Sequence, residues 1–197
     1  MLARENYPDL VLELVESTTD DLLLGVRRGE YSLVVGRSTP EDALSVIKQT
    51  PLYAEVGVVV GRNRHPAAAR RHRRLQPLLS YPWVLPQFGP TRSAIERAFM
   101  RAGCTPPTPS FINYATQLVC AVLCRTDALA VMPFGAVKAP IESGEIALVH
   151  TRADFQLPAY AIYKPLQAVS DPALECLESS ILHVASSLEE AQQTARS

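Results

Sequence analysis

LVLELVESTTDDLLLGVRRGEYSLVVG, residues 10–36, carries three structural signals in succession. Leu10, Leu12 and Leu14 alternate with Val11, Glu13 and Val15 after a Pro8-Asp9 turn, the period-two pattern of a mostly buried strand. Glu16 to Asp20 then offer several side-chain oxygens able to cap a helix. Leu22, Leu23 and Val26 follow at helical spacing, and Arg27, Arg28 and Gly29 supply a basic last turn and a stop. Leu33-Val34-Val35-Gly36 predicts a second strand. Strand, helix, strand is the unit from which parallel sheets are built, so the chain is predicted to be α/β.

Working outward, residues 43–60 read as extended, with Ser45-Val46-Ile47-Lys48 and Glu55 to Val60 separated by Pro51-Leu52-Tyr53. The continuous β-branched run predicts a strand buried on both faces. Composition then changes at an arginine-rich stretch, Arg62, Arg64, Arg70, Arg71, Arg73 and Arg74 with His65 and His72, where a second lobe is expected to begin. Trp83-Val84-Leu85 predicts a strand. The Pro86 to Pro90 loop leads to a helix with Ile95, Ala98, Phe99 and Ala102 on one face, Gly103 after it, and Ser93-Glu96 or Thr91 as its cap. A proline-rich turn at 106–109 precedes Ser110-Phe111-Ile112 and a helix from about Tyr114 to Arg125, with Leu118, Val119 and Val122 inward. Ala128 to Met132 predicts a strand stopped by Pro133, Glu145 to Val149 another, and Ala159 to Tyr163 an extended return. Asp171-Pro172 opens a closing helix through Leu188, proline standing at its first position. The expectation is two Rossmann-like lobes, residues 1–60 with 160–192 and residues 61–159, ligands binding at strand ends beside helix starts.

The chain has 197 residues, 47% of them hydrophobic, and 19 Lys plus Arg against 20 Asp plus Glu. That supports a full core and argues against disorder and against binding polyanions by net charge alone. No apolar run approaches the roughly 18–20 residues of a spanning helix. The polar start, Met1 to Pro8, lacks the features of a secretory signal, and Cys104, Cys120, Cys124 and Cys176 form no paired framework. Buried thiols and a cytoplasmic location are expected.

Catalytic and metal motifs are thin. G-x-S-x-G, G-x-G-x-x-G and the phosphate-cradling loop are absent, and Ser45-x-x-Lys48 stands without companions. His65, His72, His150 and His183 have no metal-ligand spacing, and Asp20-Asp21 and Glu189-Glu190 fit a cap and an exposed tail. The expectation is no catalytic residue, metal or cofactor. The arginine stretch has no interleaved aromatic residue and reads as a solvated face in preference to a nucleic-acid patch. For Tyr81, Trp83, Phe88, Met132 and Phe134, plain core competes with pocket lining. Phe88, Thr91 and Pro133-Phe134 stand out because each follows a predicted strand.

The order of these pieces resembles the effector-binding domain of LysR-type transcriptional regulators. Matching segments are Tyr7 to Leu14, Leu22-Leu23, Arg28-Gly29-Glu30, Leu33 to Gly36, Val58 to Val60, His65 to Ala68, Arg92 to Gly103, Ala128 to Pro133 and Ser143 to Ile146. Tyr31-Ser32 departs from the family's usual Leu-Asp. The resemblance implies a type 2 periplasmic-binding-protein-like α/β fold and a small-molecule effector, commonly an organic acid or similar metabolite, held in the cleft between the lobes. By position it implies effector contacts from Ser17, Thr18, Gly36, Arg37, Phe88, Gly89, Thr91, Pro133 and Phe134. For Ser17 and Thr18, helix capping is the competing role. Hydroxyls and amides at helix starts suit a carboxylate, and Arg37 would add a charge-assisted pair.

In the family, DNA is bound by an N-terminal winged helix-turn-helix, which has no match among these residues, and by the same resemblance the domain's own first strand is expected to be missing. The opened edge beside the Leu10 segment leads to an expectation of a homodimer or higher oligomer, or of instability. Two rival readings share the fold: a solute-binding protein of a transport system, and a small transferase or dehydratase.

Overall fold

The computed structural model describes residues 5–40, 44–113, 115–167 and 170–194. Residues 1–4 of the polar start, Ala43 and Tyr114, where two expected elements begin, and the side chains of Glu189-Glu190 lie outside the described residues. The chain divides into two compact units, residues 1–54 with 159–197 and residues 55–158. Two long strands, β2 (Ile47–Arg62) and β7 (Phe155–Pro165), run through the points of division.

In the unit of residues 55–158, β3 (Trp83–Leu85) lies parallel to β4 (Phe111–Ile112) on one side and β5 (Leu129–Pro133) on the other. The next neighbour of β5 is β2, antiparallel through Gly57↔Pro133 to Val60↔Ala130, and β6 (Ile146–Leu148) also pairs antiparallel with β2. Alternating side chains feed two cores. Val59, Trp83, Leu85, Leu129 and Val131 face helix α2 (Pro90–Arg101), with Ile95, Ala98 and Phe99. Val60, Val84, Ala130 and Met132 face α3 (Thr116–Leu123) and α4 (Phe134–Glu142), with Val119, Cys120, Leu123 and Val137. Burial on both faces is why these strands read as unbroken apolar runs. Phe99 joins the first core edge-on to Trp83 and Phe155, ring centroids 5.3 and 5.8 Å away, while Trp83 Nε1 donates to the Leu78 carbonyl at 3.1 Å.

In the other unit, α1 (Thr19–Arg28) is capped by Thr18 and ends at Gly29, whose φ of 73° closes the helix. Leu22, Leu23 and Val26 pack with Val34, Leu44, Ile47, Ala161 and Tyr163. Strand β1 (Val34–Arg37) pairs with β7 from Val34↔Tyr163 to Arg37↔Tyr160. Helix α5 (Pro172–Thr194) starts where Asp171 Oδ1 accepts from Ala173 N at 2.9 Å, and the Lys164–Glu178 ion pair ties it to β7.

Several expectations are corrected. Leu10 to Val15 is neither a strand nor buried: Val11 and Leu14 are 90% and 89% exposed, and the Leu10 N–H closes a local turn to the Tyr7 carbonyl. Alternation describes which side chains share a face; a strand also needs a neighbour to complete its ladder. The pairing of β1 is antiparallel, so the expected parallel unit is absent from the described residues of the opening segment. Ser45 and Val46 lie in a turn, and Ile47-Lys48 and Glu55 to Val60 are not separate pieces; β2 continues through Pro51. The arginine stretch lies inside residues 55–158, shortly after the point of division. Helix α2 takes neither Thr91 nor Ser93 as cap. Pro90 occupies its first position and Gly89 precedes it, so no side chain caps its amide groups. Leu118 and Ala102 point outward, and on α5 Val184 and Leu188 are exposed while Ala185 is buried.

Candidate functional site

Because β3, β4 and β5 are mutually parallel, their carboxyl ends lie at one edge, and each leads into a helix. That places the N-termini of α2, α3 and α4, with their unpaired N–H groups and partial positive charge, at the same end of the sheet. The three differ in how they are closed. At α4, Gly135 N donates to Glu55 Oε1 at 3.0 Å, and Glu55 is only 4% exposed, so a carboxylate from β2 already occupies that end. Ahead of α3, Asn113 Oδ1 accepts from Ala115 N at 2.7 Å, and no side chain caps the helix itself. The start of α2 has no such side chain. Its Gly89 has φ 92° and ψ 178°, and a Cβ there would meet nothing within 4 Å.

Around this open helix start stand Phe88, exposed, and Thr91, half-buried. Arg92 joins Glu96 through Nε at 2.6 Å, leaving its buried Nη1 without a hydrogen-bond partner among the described residues. A helix start and a hydroxyl suit a negative or polar group, and an exposed aromatic ring suits a flat apolar part. Pro133 and Phe134 are at the neighbouring α4 start. Of the other aromatic candidates, Trp83 is core, and Tyr81 packs edge-on against His65 at 4.7 Å. Met132 is core as well.

In the other unit, Ser17 and Thr18 both donate to the Asp21 carboxylate, at 3.1 and 2.7 Å, while Thr18 Oγ1 accepts from Asp21 N at 3.2 Å. Thr18 therefore caps α1, while Ser17 is tied only to the Asp21 side chain. Gly36 lies where a Cβ would come within 3.2 Å of the Thr19 side chain, and Arg37 N donates to Thr19 Oγ1 at 3.4 Å. The Arg37 guanidinium stacks 3.8 Å above the Tyr160 ring, whose other neighbour is Tyr53 at 5.3 Å. The Tyr163 hydroxyl donates to the Arg37 carbonyl at 2.6 Å. Burial pushes the phenol of Tyr163 up, keeping it a donor. Thr19, Tyr53, Tyr160, Glu55, Arg92 and Asn113 were not singled out from sequence. A helix-start position flagged Arg92 and Asn113 in principle, whereas Tyr160 and Glu55 become relevant only through strand register.

Two of the cysteines are held away from nucleophilic chemistry. Burial, then the nearby Glu145 carboxylate, pushes the Cys120 and Cys124 thiols up, away from the reactive thiolate. Among the described residues no group of three or more His, Cys, Asp and Glu side chains could hold a metal ion.

Parallel strands feeding several helix starts at one edge define a ligand-binding class of α/β domain. The family model of the LysR substrate binding domain matches residues 2–184, and the chain belongs to that family. It is 28% identical over 179 residues to the HTH-type transcriptional regulator GalR of Pseudomonas putida, covering 90% of this chain and 45% of that one. To the regulator GbpR of Azospirillum brasilense it is 24% identical over 181 residues, covering 89% and 53%. The chain thus spans about half the length of these two relatives. In fold it is similar to the Synechocystis CcmR regulatory domain in complex with 2-PG, with TM-score 0.76, 13% identity, and 92% and 86% of the two chains covered. It is also similar to the effector-binding domain of QuiR in complex with shikimate, with TM-score 0.75, 14% identity, and 93% and 85% covered. The type 2 periplasmic-binding-protein-like fold is that of these effector-binding domains. The relatives are transcriptional regulators rather than transport proteins. No helix among the described residues is long and apolar enough to cross a membrane.

Proposed function

We propose that this domain senses a small polar metabolite, an organic acid or a similar molecule, and passes its presence to transcription through a DNA-binding domain outside these residues. The observation that carries the reading is the uncapped start of α2, with Gly89 facing open space beside Thr91 and the unpartnered Arg92 Nη1. Phe88 and Thr91 are its side-chain contacts, and Pro133 and Phe134 flank it. Ser17, Thr18, Gly36 and Arg37 are candidate contacts in their own right. The 2-PG bound to CcmR and the shikimate bound to QuiR support a small-molecule ligand. The proposal is a binding module rather than a catalyst, working in the cytoplasm as a homo-oligomer. An effector moves such a protein only by its difference in affinity for two states, so a tenfold preference amounts to about 1.4 kcal/mol.

The test is a thermal-shift screen of small carboxylic acids and sugars, followed by calorimetry of any hit on wild type, Thr91→Ala and Arg92→Gln. Loss of about tenfold or more in affinity in both variants supports the α2 site. A hit whose affinity neither variant changes places the site elsewhere, and turnover of the hit replaces the sensor reading with an enzyme.

A further inference from the structure

The net charge of −1 conceals a segregation of charge along the chain. Residues 55–158 carry 12 Lys and Arg against six Asp and Glu, a net of +6, whereas the other unit carries seven against 14, a net of −7. From Val56 to Ile95, forty consecutive residues hold seven arginines and no carboxylate.

Folding concentrates this charge further. Arg70, Arg71, Arg73 and Arg74 are exposed on one turn. Within that turn His72 N donates to the His150 carbonyl at 2.8 Å and Arg152 N donates to the His72 carbonyl at 3.2 Å, which brings the exposed Arg152 alongside. Arg101 reaches the same neighbourhood, its Nη2 donating to the Asp154 carbonyl at 3.2 Å. Among the described residues the side chains of Arg70, Arg71, Arg73, Arg74 and Arg152 have no ion-pair or hydrogen-bond partner, in contrast to Arg62, paired with Asp127, and Arg92, paired with Glu96. The backbone beneath them is held firmly: His72 Nε2 donates to the Ala67 carbonyl at 2.9 Å, and Leu75 and Leu78 are buried in the core.

We propose that this arginine turn, with Arg152, is a contact surface for the phosphate backbone of duplex DNA. Crowding unpaired like charges on a fixed turn costs self-repulsion, which a polyanion relieves. Every cation is an arginine, whose planar fork suits phosphate oxygens two at a time. Residues 62–74 contain no Phe, Tyr or Trp, the His65 ring is buried and the His72 ring is held to the Ala67 carbonyl, so there is no free platform on which unpaired bases would stack, and backbone contact with a duplex is favoured over single strands. The family supplies the polyanion, since its members regulate transcription. Such contacts position a protein on DNA without reading sequence. The proposal is independent of the effector site.

The test is fluorescence anisotropy of this chain with a labelled mixed-sequence duplex of about 20 base pairs, roughly two helical turns, across a salt series. Five phosphate contacts predict a log–log salt slope of about −4 to −5, so affinity falls by roughly 10²- to 10³-fold between 50 and 200 mM salt. Arg71→Gln/Arg73→Gln/Arg74→Gln reduces the slope by about 3, and Arg152→Gln alone by about 1. The single variant keeps the test decisive should the triple one fail to fold. Absence of duplex binding at low salt, or slopes unchanged in folded variants, overturns the proposal. Tighter binding of the single strand, or equal displacement by poly-glutamate of the same charge, also overturns it. So does salt-sensitive self-association in sedimentation that the variants abolish, which would make the acidic unit of a second copy the partner.

Discussion

The carboxylate of Glu55 accepts the backbone N–H of Gly135 at 3.0 Å, so a side chain from β2 closes the N-terminus of α4 eighty residues further along the chain. The pairing joins a buried carboxylate to the positive end of a helix, and it separates the three helix starts at this sheet edge into one closed by a charge and two, α2 and α3, without a side-chain cap. Glu55→Ala leaves a buried donor without its acceptor and removes the dipole interaction, a cost of about 2–3 kcal/mol. Glu55→Gln retains an oxygen and costs about 1 kcal/mol. Urea denaturation of the three proteins checks the ranking. Sulfate should stabilise Glu55→Ala more than wild type, because the vacated helix start then accepts an external anion.

The backbone at the open helix start is itself diagnostic. Gly89, at φ 92° and ψ 178°, lies in a region reserved almost entirely for glycine, yet a Cβ there has open space around it. Gly89→Ala therefore isolates backbone strain and should cost about 1–3 kcal/mol. Arg64 has φ 56°, the left-handed conformation, with no glycine to ease it, and the Arg62 side chain donates to its carbonyl at 3.0 Å. Arg64→Gly relieves strain while adding freedom to the unfolded chain, so it should change stability by less than about 1 kcal/mol. A cost above 2 kcal/mol for Arg64→Gly, or none for Gly89→Ala, in thermal denaturation contradicts the argument.

Much of the fold is written locally. Gly29 and Gly103 mark helix ends, Asp171-Pro172 marks a helix start, and Trp83–Leu85 and Leu129–Met132 are strands whose side chains are all apolar because both faces are buried. Long-range pairing is not written locally. Nothing near Arg37 announces Tyr160, which meets it only because β1 and β7 pair in one register. Glu55 looks like a strand residue until β2 and β5 are aligned, and Leu10 to Val15 looks like a strand because alternation carries no information about a partner. At α2 the local signals conflict: Thr91 and Ser93 are good caps, but Pro90, whose missing N–H suits the first helical position, sets the start ahead of both and leaves them inside the first turn.

His65 is a structural residue despite its place in the arginine stretch. It is 1% exposed, its Nδ1 accepts from Ala67 N at 3.0 Å, and its Nε2 donates to the Asp127 carbonyl at 3.1 Å. A Cβ on Gly61 would come within 2.9 Å of its ring. His65→Ala removes two hydrogen bonds and the packing against Tyr81, an expected loss of about 2–4 kcal/mol. Gly61→Ala must displace the ring and should cost about 1–3 kcal/mol. Because the second change acts through the first residue, the double variant should cost clearly less than the sum of the singles, which a double-mutant cycle in urea measures.

Alkaline pH should weaken the fold through three groups held protonated by burial. Desolvation raises the Cys120 and Cys124 thiols, with Glu145 adding to both, and desolvation raises the Tyr163 phenol against the lowering effect of Thr39. A group with a folded value above its unfolded one binds more protons when folded, so its stabilising contribution is complete below the unfolded value and is lost as pH rises through the folded one. Unfolding midpoints should therefore hold steady through neutral pH and begin to fall near pH 9, where an unburied thiol titrates, with the Tyr163 contribution starting near pH 10. Cys120→Ala removes one of the three groups, so its decline from pH 9 upward should be shallower than that of wild type. A wild-type midpoint that stays flat to the highest pH at which the protein remains folded, or a variant that declines as steeply, would show that burial leaves these groups unperturbed.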